Sequence, residues 1–268
     1  MNRKIVDCFI FYNELDLLTY RLELLYDIVD YFVLVESTHT FVGNIKKLYY
    51  FDNIEKYQRF NDKIIHVVVT DFIFKPDISK DEQWRNENKQ RTRIEYGLQR
   101  LNLNDDDLIL ISDIDEIPNP QVLLQLKVYN SKFDIFALKQ DFYYYDLNHK
   151  IDMSWFAAVV LPYENYKHNR DPNLYRNHLN MLSYFIDNAG WHLSYFGDEK
   201  FISNKIKNFA HQEYNSSEFT SDDIIKKNIN ECKDLFNRNY QTIKYVNISD
   251  NDNLPILYDK YLIKYFNK

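Results

Sequence analysis

The 268-residue chain is short of several things, and each shortage removes a class of function. Its 4 glycines cannot build a glycine-rich phosphate cradle, which sets aside a P-loop or a G-x-G-x-x-G dinucleotide site. Its 2 cysteines, Cys8 and Cys232, cannot make a disulfide framework or a cysteine zinc site. Cys8 falls in an apolar strand and Cys232 on a helical face, so both read as reduced core residues. Apolar runs are also short. None approaches the roughly 20 residues of a membrane span, and Ile5–Phe11 meets Asn13 and Glu14 too soon to serve as a signal peptide. The expectation is a cytoplasmic protein, or a catalytic domain lacking any anchor, with no membrane span. Basic charge is scarce too. Lys and Arg number 33 against 40 Asp and Glu, and a net charge of −7 argues against a nucleic-acid partner.

Aromatic residues, by contrast, are abundant, with 23 Tyr and 19 Phe. Most belong to a core, but a tyrosine also offers sugar rings a flat face and a hydroxyl. In the first half of the chain, strand and helix signals alternate. Residues 5–11, 31–35, 63–69 and 108–111 read as apolar strands. Leu15, Leu18, Leu22 and Leu25 follow helical spacing. Ser79 and Glu82 have the spacing of a capping box, and Arg91, Ile94, Leu98 and Leu101 continue one helix face. Asn119-Pro120 reads as an N-cap and first-turn proline. This rhythm predicts an α/β fold with a mostly parallel central sheet flanked by helices. The second half is less regular. Strands are expected at 133–139, 155–161 and 191–196, with an aromatic, acidic connection at 141–146. Helices are expected at 199–209 and along Ile225, Ile229, Cys232 and Phe236. No Pro/Gly/Ser-rich linker divides the chain. The reading is one domain over 1–268, with a nucleotide-binding half (1–118) and an acceptor-binding half (119–268).

The strand at Leu108 ends in a spike of acid, Asp113-Ile114-Asp115-Glu116. The carboxyl ends of such strands are where open α/β sheets place ligands. Two carboxylates two residues apart can share a divalent cation, Mg²⁺ or Mn²⁺, and through it a phosphate. Alone the pair is unspecific, since solvated loop acids look the same. Asn13 and Glu14, with Tyr12 beside them, follow the first strand, and Glu36 follows the second. All fall on the same sheet edge and can accept from a ribose or a base. The alternative for Asn13 is helix capping. Arg91 can reach a diphosphate, or pair with Glu87 one turn earlier. His192 and His211 are the nitrogen ligands that could complete a metal site begun by Asp115, His192 ahead of His211.

These segments together resemble glycosyltransferase family 17, the family of β-1,4-mannosyl-glycoprotein N-acetylglucosaminyltransferases. The matching stretches include Phe11-Tyr12-Asn13-Glu14, Val35-Glu36-Ser37, Trp84-Arg85-Asn86-Glu87, Gln90-Arg91, Ser112-Asp113-Ile114-Asp115-Glu116 and Gly190-Trp191-His192-Leu193-Ser194. The resemblance implies a GT-A-type fold, a UDP-sugar donor carrying GlcNAc or a related hexose, a glycan or glycoprotein acceptor, Mn²⁺ or Mg²⁺, and inversion at the anomeric carbon. It puts Asp113 and Asp115 at the DxD positions, with Asp115 on the metal and Asp113 on the ribose or the metal shell. Inversion needs a general base near the acceptor. Glu213 is the first candidate, followed by Asp187, Asp198 and Glu199. Tyr143, Tyr144, Tyr145, Trp155 and Trp191 could floor the acceptor site. Two rival readings are a haloacid-dehalogenase-type phosphatase and an inactive sugar-binding module. The phosphatase usually carries Thr or Val where this chain has Ile117.

Overall fold

A computed structural model of the chain describes residues 3–129, 135–177 and 184–265. Its strands are β1 (Ile5–Phe11), β2 (Tyr31–Ser37), β3 (Ile64–Val69), β4 (Leu108–Asp113), β5 (Glu116–Pro118), β6 (Phe136–Leu138), β7 (Gln140–Tyr144), β8 (His149–Trp155), β9 (Val159–Pro162), β10 (Phe185–Ile186), β11 (Gly190–Ser194) and β12 (Ile243–Tyr245). The helices are α1 (Leu15–Leu25), α2 (Glu82–Thr92), α3 (Ile94–Leu98), α4 (Pro120–Val128), α5 (Tyr163–His168), α6 (Pro172–Asn177), α7 (Glu199–Asn208), α8 (Ser217–Thr220), α9 (Asp222–Asn230) and α10 (Tyr258–Tyr261).

The strands form two sheets, a seven-stranded one in the order β10-β6-β9-β4-β1-β2-β3 and a five-stranded one in the order β12-β8-β7-β11-β5. In the larger sheet β3, β2, β1 and β4 are mutually parallel, and β9 is antiparallel to both its neighbours, β4 and β6. The chain leaves β1 toward β2 on one side and later inserts β4 on the other. The strand order therefore reverses between β1 and β4, and a crevice opens there at their carboxyl ends.

Period-two alternation explains which side chains reach that crevice. In β4, Leu108 and Leu110 pack in the core layer with α1 and α4, while Ile109 and Ile111 pack in the opposite layer with α3. Ser112 therefore faces α1, and Asp113 faces α2 and α6. A third apolar cluster joins Phe142 and Tyr144 of β7 to Ile202 and Ile206 of α7 and Ile225 and Ile229 of α9. Gly190 opens β11 at φ +144°, and a Cβ there would lie 2.1 Å from the Ile117 carbonyl oxygen. Only glycine lets β11 approach β5 this closely.

Several expectations change. Ser79 does not cap a helix. Asp77 caps a short 3₁₀ turn by accepting from the Ser79 N–H, and Glu82 reaches back to the Asp77 N–H at 2.9 Å. The helix face from Arg91 to Leu101 is broken at Arg93 into α2 and α3. Residues 155–161 are not one strand: Trp155 ends β8 in one sheet and Val159 begins β9 in the other. The connection at 141–146 is largely strand β7, and the expected 133–139 strand shortens to β6, its residues 133 and 134 lying outside the described ones. Helix α9 stops at Asn230, so Cys232, at φ +52°, and Phe236 follow it in a loop. Asn119 caps α4, with Pro120 in its first turn, as its sequence predicts. Among the described residues no helix is long and apolar enough to cross a membrane.

Candidate active site

The crevice between β1 and β4 opens into a cavity of about 550 Å³. Its floor is the turn after β4. Asp113 lies on the α2/α6 face of the sheet, and each of its carboxylate oxygens meets a guanidinium: Oδ1 accepts from Arg91 of α2 at 3.1 Å, and Oδ2 from Arg176 of α6 at 2.9 Å. Burial pushes the Asp113 carboxyl up, but Arg176 and Arg91 outweigh it and hold it below the usual carboxylate range. Asp115 is held from the other side of the cavity. Its Oδ2 accepts from Lys205 of α7 at 2.9 Å, and its Oδ1 stands 3.6 Å from His192 Nε2 of β11. Burial again opposes ionisation, and the Lys205 ammonium outweighs it with the His192 ring alongside, leaving Asp115 strongly acidic. Burial likewise disfavours the Lys205 ammonium, yet Asp115 and Glu14 raise it above the ordinary lysine value.

Behind the turn, Glu116 is fully buried and fully engaged. It accepts from Trp155 Nε1 at 2.6 Å, from Arg176 at 2.6 and 2.9 Å, and from the Asp113 N–H at 2.7 Å. Beneath it lies Arg21 of α1, on the same helix face as Leu18 and Leu25 and also fully buried. Arg21 grips Asp7 with two nitrogens, at 2.8 and 2.6 Å, and donates to the carbonyls of Asp113 at 3.0 Å and Glu116 at 2.9 Å. The backbone of the acid turn is thus held by a cation whose charge is cancelled elsewhere.

The wall at the carboxyl ends of β1 and β2 is equally specified. Glu14 Oε2 accepts from the Asn13 N–H at 3.0 Å, and its Oε1 lies 3.5 Å from Lys205. Tyr12 accepts at its hydroxyl from Asn204 of α7, and burial pushes that phenol up to about 12. Gln90 of α2 donates to the carbonyls of Phe11 and Val35, at 3.1 and 2.7 Å, tying together the carboxyl ends of β1 and β2. Lys46 packs over the Tyr12 and Tyr49 rings, 3.7 Å from Glu36, and burial lowers its pKa.

Tyr12, Glu14, Arg91, Asp113, Asp115, His192 and His211 all line this one cavity. Glu36 does not line it. It is buried behind Lys46 and His66, and its neighbour Ser37 takes the cavity position. Asn13 is neither a lining residue nor the N-cap of α1, a place held by Glu14. Arg91 satisfies both of its readings, gripping Glu87 at 3.0 Å as well as Asp113, but it is buried rather than on the surface. Glu213 is not a lining residue; it accepts from Nδ1 of His211, which is, at 2.7 Å. Asp187 lies outside the cavity, 64% exposed and paired with Lys139. Asp198 caps α7 through the Phe201 N–H. Among the proposed floor aromatics, Tyr144 and Trp155 face the cavity, whereas Tyr143, Tyr145 and Trp191 pack away from it.

Arg21, Arg176 and Lys205 were not candidates from sequence. Arg21 did carry a signal, a lone cation on the apolar stripe of α1. Lys205 and Arg176 carried none, because nothing local tells which distant carboxylate they meet.

The profile of glycosyltransferase family 17 matches residues 1–252. The chain is 31% identical over 139 residues to the rat "Beta-1,4-mannosyl-glycoprotein 4-beta-N-acetylglucosaminyltransferase", covering 50% of this chain and 25% of that protein. It is likewise 31% identical over 139 residues to the human protein of the same name, covering 50% of this chain and 26% of that one. The chain therefore spans about a quarter of the length of these relatives. A solved structure of glucosyl-3-phosphoglycerate synthase from Mycobacterium tuberculosis, with Mn²⁺, UDP and phosphoglyceric acid, aligns at a TM-score of 0.28 and 16% identity over 53% of this chain and 43% of that one, too low to carry an argument.

Proposed function

The chain belongs to glycosyltransferase family 17, and from that premise we propose a metal-dependent inverting transferase that moves GlcNAc or a related hexose from a UDP-sugar to a hydroxyl of a glycan or glycoprotein. Family membership sets the phosphatase alternative aside. The observation that carries the reading is the acid turn at the strand-order reversal, where Asp113 and Asp115 meet three cations from three separate helices at the floor of one large cavity. A GT-A-type arrangement is part of the proposal. Its support is the parallel run β3-β2-β1-β4 with antiparallel β9 beyond it and the acid turn closing β4.

Among the described residues no group of three or more His, Cys, Asp and Glu side chains gathers around one point. That does not suit a structural metal, but it does suit an ion shared with a substrate, which needs only one or two protein carboxylates plus phosphate oxygens. Asp115 and His192, 3.6 Å apart on the cavity wall, fit that part. When bound, the ion neutralises charge on the departing diphosphate. Arg91 and Arg176 fix Asp113 and keep positive charge beside the same diphosphate. Tyr12, Glu14 and Ser37 line the donor side, and Trp155 and Tyr144 give the acceptor flat faces to rest on. For the base we assign the Glu213–His211 pair. With Nδ1–H donated to Glu213, the imidazole keeps a lone pair on Nε2, the form that can take a hydroxyl proton.

The test is a screen of UDP- and GDP-sugars for metal-dependent donor hydrolysis and transfer, run beside thermal melts with UDP and Mn²⁺. Stabilisation by UDP plus metal and turnover with a UDP-sugar are expected. No stabilisation and no turnover with any donor would instead leave an inactive sugar-binding module.

A further inference from the structure

Lys205 stands between two carboxylates that come from different strand ends. Its Nζ is 2.9 Å from Asp115 Oδ2, after β4, and 3.5 Å from Glu14 Oε1, after β1. A cation bridging two carboxylates at the mouth of a phosphate site occupies the kind of place a divalent ion takes. The helix that carries it is fixed. Ile202 and Ile206 anchor the apolar side of α7, while Asn204 donates to the Tyr12 hydroxyl and Asn208 accepts from Asn44. Only the flexible four-carbon stem of the lysine is free to move the charge. An ion bound at Asp115 and a lysine ammonium on the same carboxylate repel each other at a few Å. A nucleoside diphosphate offers the ammonium an alternative anion on the same cavity wall.

Resting on the reading of this site as a metal-dependent nucleotide-sugar site, we propose that Lys205 is a built-in counter-cation that holds the metal position shut until a donor diphosphate draws its ammonium away. Metal binding is then conditional on the nucleotide, and the empty enzyme is guarded against capturing free divalent ions. Lys205 is a positioning residue before the donor arrives and a phosphate ligand afterwards.

The test is a Mn²⁺ titration followed by electron paramagnetic resonance, on the wild type and on Lys205→Met, each with and without saturating UDP. For the wild type, Mn²⁺ alone should bind at least about tenfold more weakly than with UDP, the change expected when one like charge a few Å away is relieved. In Lys205→Met the metal alone should bind about tenfold more tightly than in the wild type, while UDP binds more weakly. Lys205→Arg should restore the wild-type pattern, because it returns the cation. Lys205→Gln serves the same comparison if the methionine variant does not fold, and the wild-type arm needs no variant. Equal wild-type Mn²⁺ affinity with and without UDP overturns the inference and leaves the metal-dependent reading intact. So does a metal-alone affinity unchanged by removing the charge. Absence of Mn²⁺ binding to every protein even with UDP, while UDP itself binds in the presence of a chelator, overturns the metal-dependent reading and the inference with it.

Discussion

Arg21 and Asp7 form a two-pronged ion pair, at 2.8 and 2.6 Å, with no side-chain exposure on either partner. The pair is far from the surface, yet it sets the height of the acid turn, because Arg21 also donates to the carbonyls of Asp113 and Glu116. Removing one partner of a buried pair strands the other charge, which costs about 3–5 kcal/mol. Arg21→Met should therefore lower unfolding free energy by roughly that amount in urea titrations. A loss of less than about 1 kcal/mol would show the pair to be replaceable by packing.

Asp115→Asn keeps the shape of the side chain and removes its charge. Turnover with the best donor should fall by about 10²–10³-fold, the usual loss when one electrostatic element of a site is removed. Full turnover in Asp115→Asn would sink the metal assignment.

The acid pair should also be visible in the acid stability of the protein. Asp113 and Asp115 titrate lower when folded than when unfolded. Their contribution is present in full above the unfolded value, near pH 4, and is lost as pH falls from there through the folded values. Melting temperature should thus drop on acidification below about pH 4. In the Asp113→Asn, Asp115→Asn double variant that drop should be shallower. An unchanged acid limb in the variant would mean other carboxylates govern it.

Trp155 donates to buried Glu116 while its ring faces the cavity. Trp155→Phe keeps a flat face but leaves one Glu116 oxygen with a donor fewer, a loss of about 1–3 kcal/mol in stability. Donor KM should be nearly unchanged and acceptor KM raised. A raised donor KM with acceptor KM untouched would put the ring on the wrong substrate.

His211→Ala should lower kcat by about 10²–10⁴-fold, the usual contribution of a general base. Glu213→Gln should lower it less and move the acidic limb of the kcat/KM–pH profile. Wild-type kcat in His211→Ala would return the search for the base to the remaining cavity wall.

How legible the fold was depended on burial. Strands β1, β2 and β4 are covered on both faces, so their apolar runs are continuous and easy to read. The run from Trp155 to Leu161 is also apolar, but for a different reason: it carries the chain from one sheet to the other, and Ala158 is buried on the way. Continuity of hydrophobicity cannot reveal a change of sheet. The 141–146 segment looked like a connection because Asp141 and Asp146 flank it. Yet Asp141 pairs with Lys150 of the neighbouring strand and Phe142 and Tyr144 face α7, in a strand whose pairing with β8 shifts register between Asp141 and Tyr143. The placement of Asp113, Asp115, Tyr12 and Glu14 on the cavity was legible because each sits at or just beyond a strand end, a position that sequence fixes. Arg176 and Lys205 were not, because their roles come from contacts 63 and 90 residues away.

The amide of Gln90 bonds the last carbonyl of β1, that of Phe11, and the Val35 carbonyl of β2, beside the final β1–β2 pair of Phe11 and Glu36. Two parallel strands that end side by side are otherwise free to fray apart, and fraying would let the cavity wall breathe. Clamped by one side chain, that edge behaves as a gauge block: its width is set before any ligand arrives, so the proposed nucleotide would be accepted or refused by size rather than by a loop closing around it.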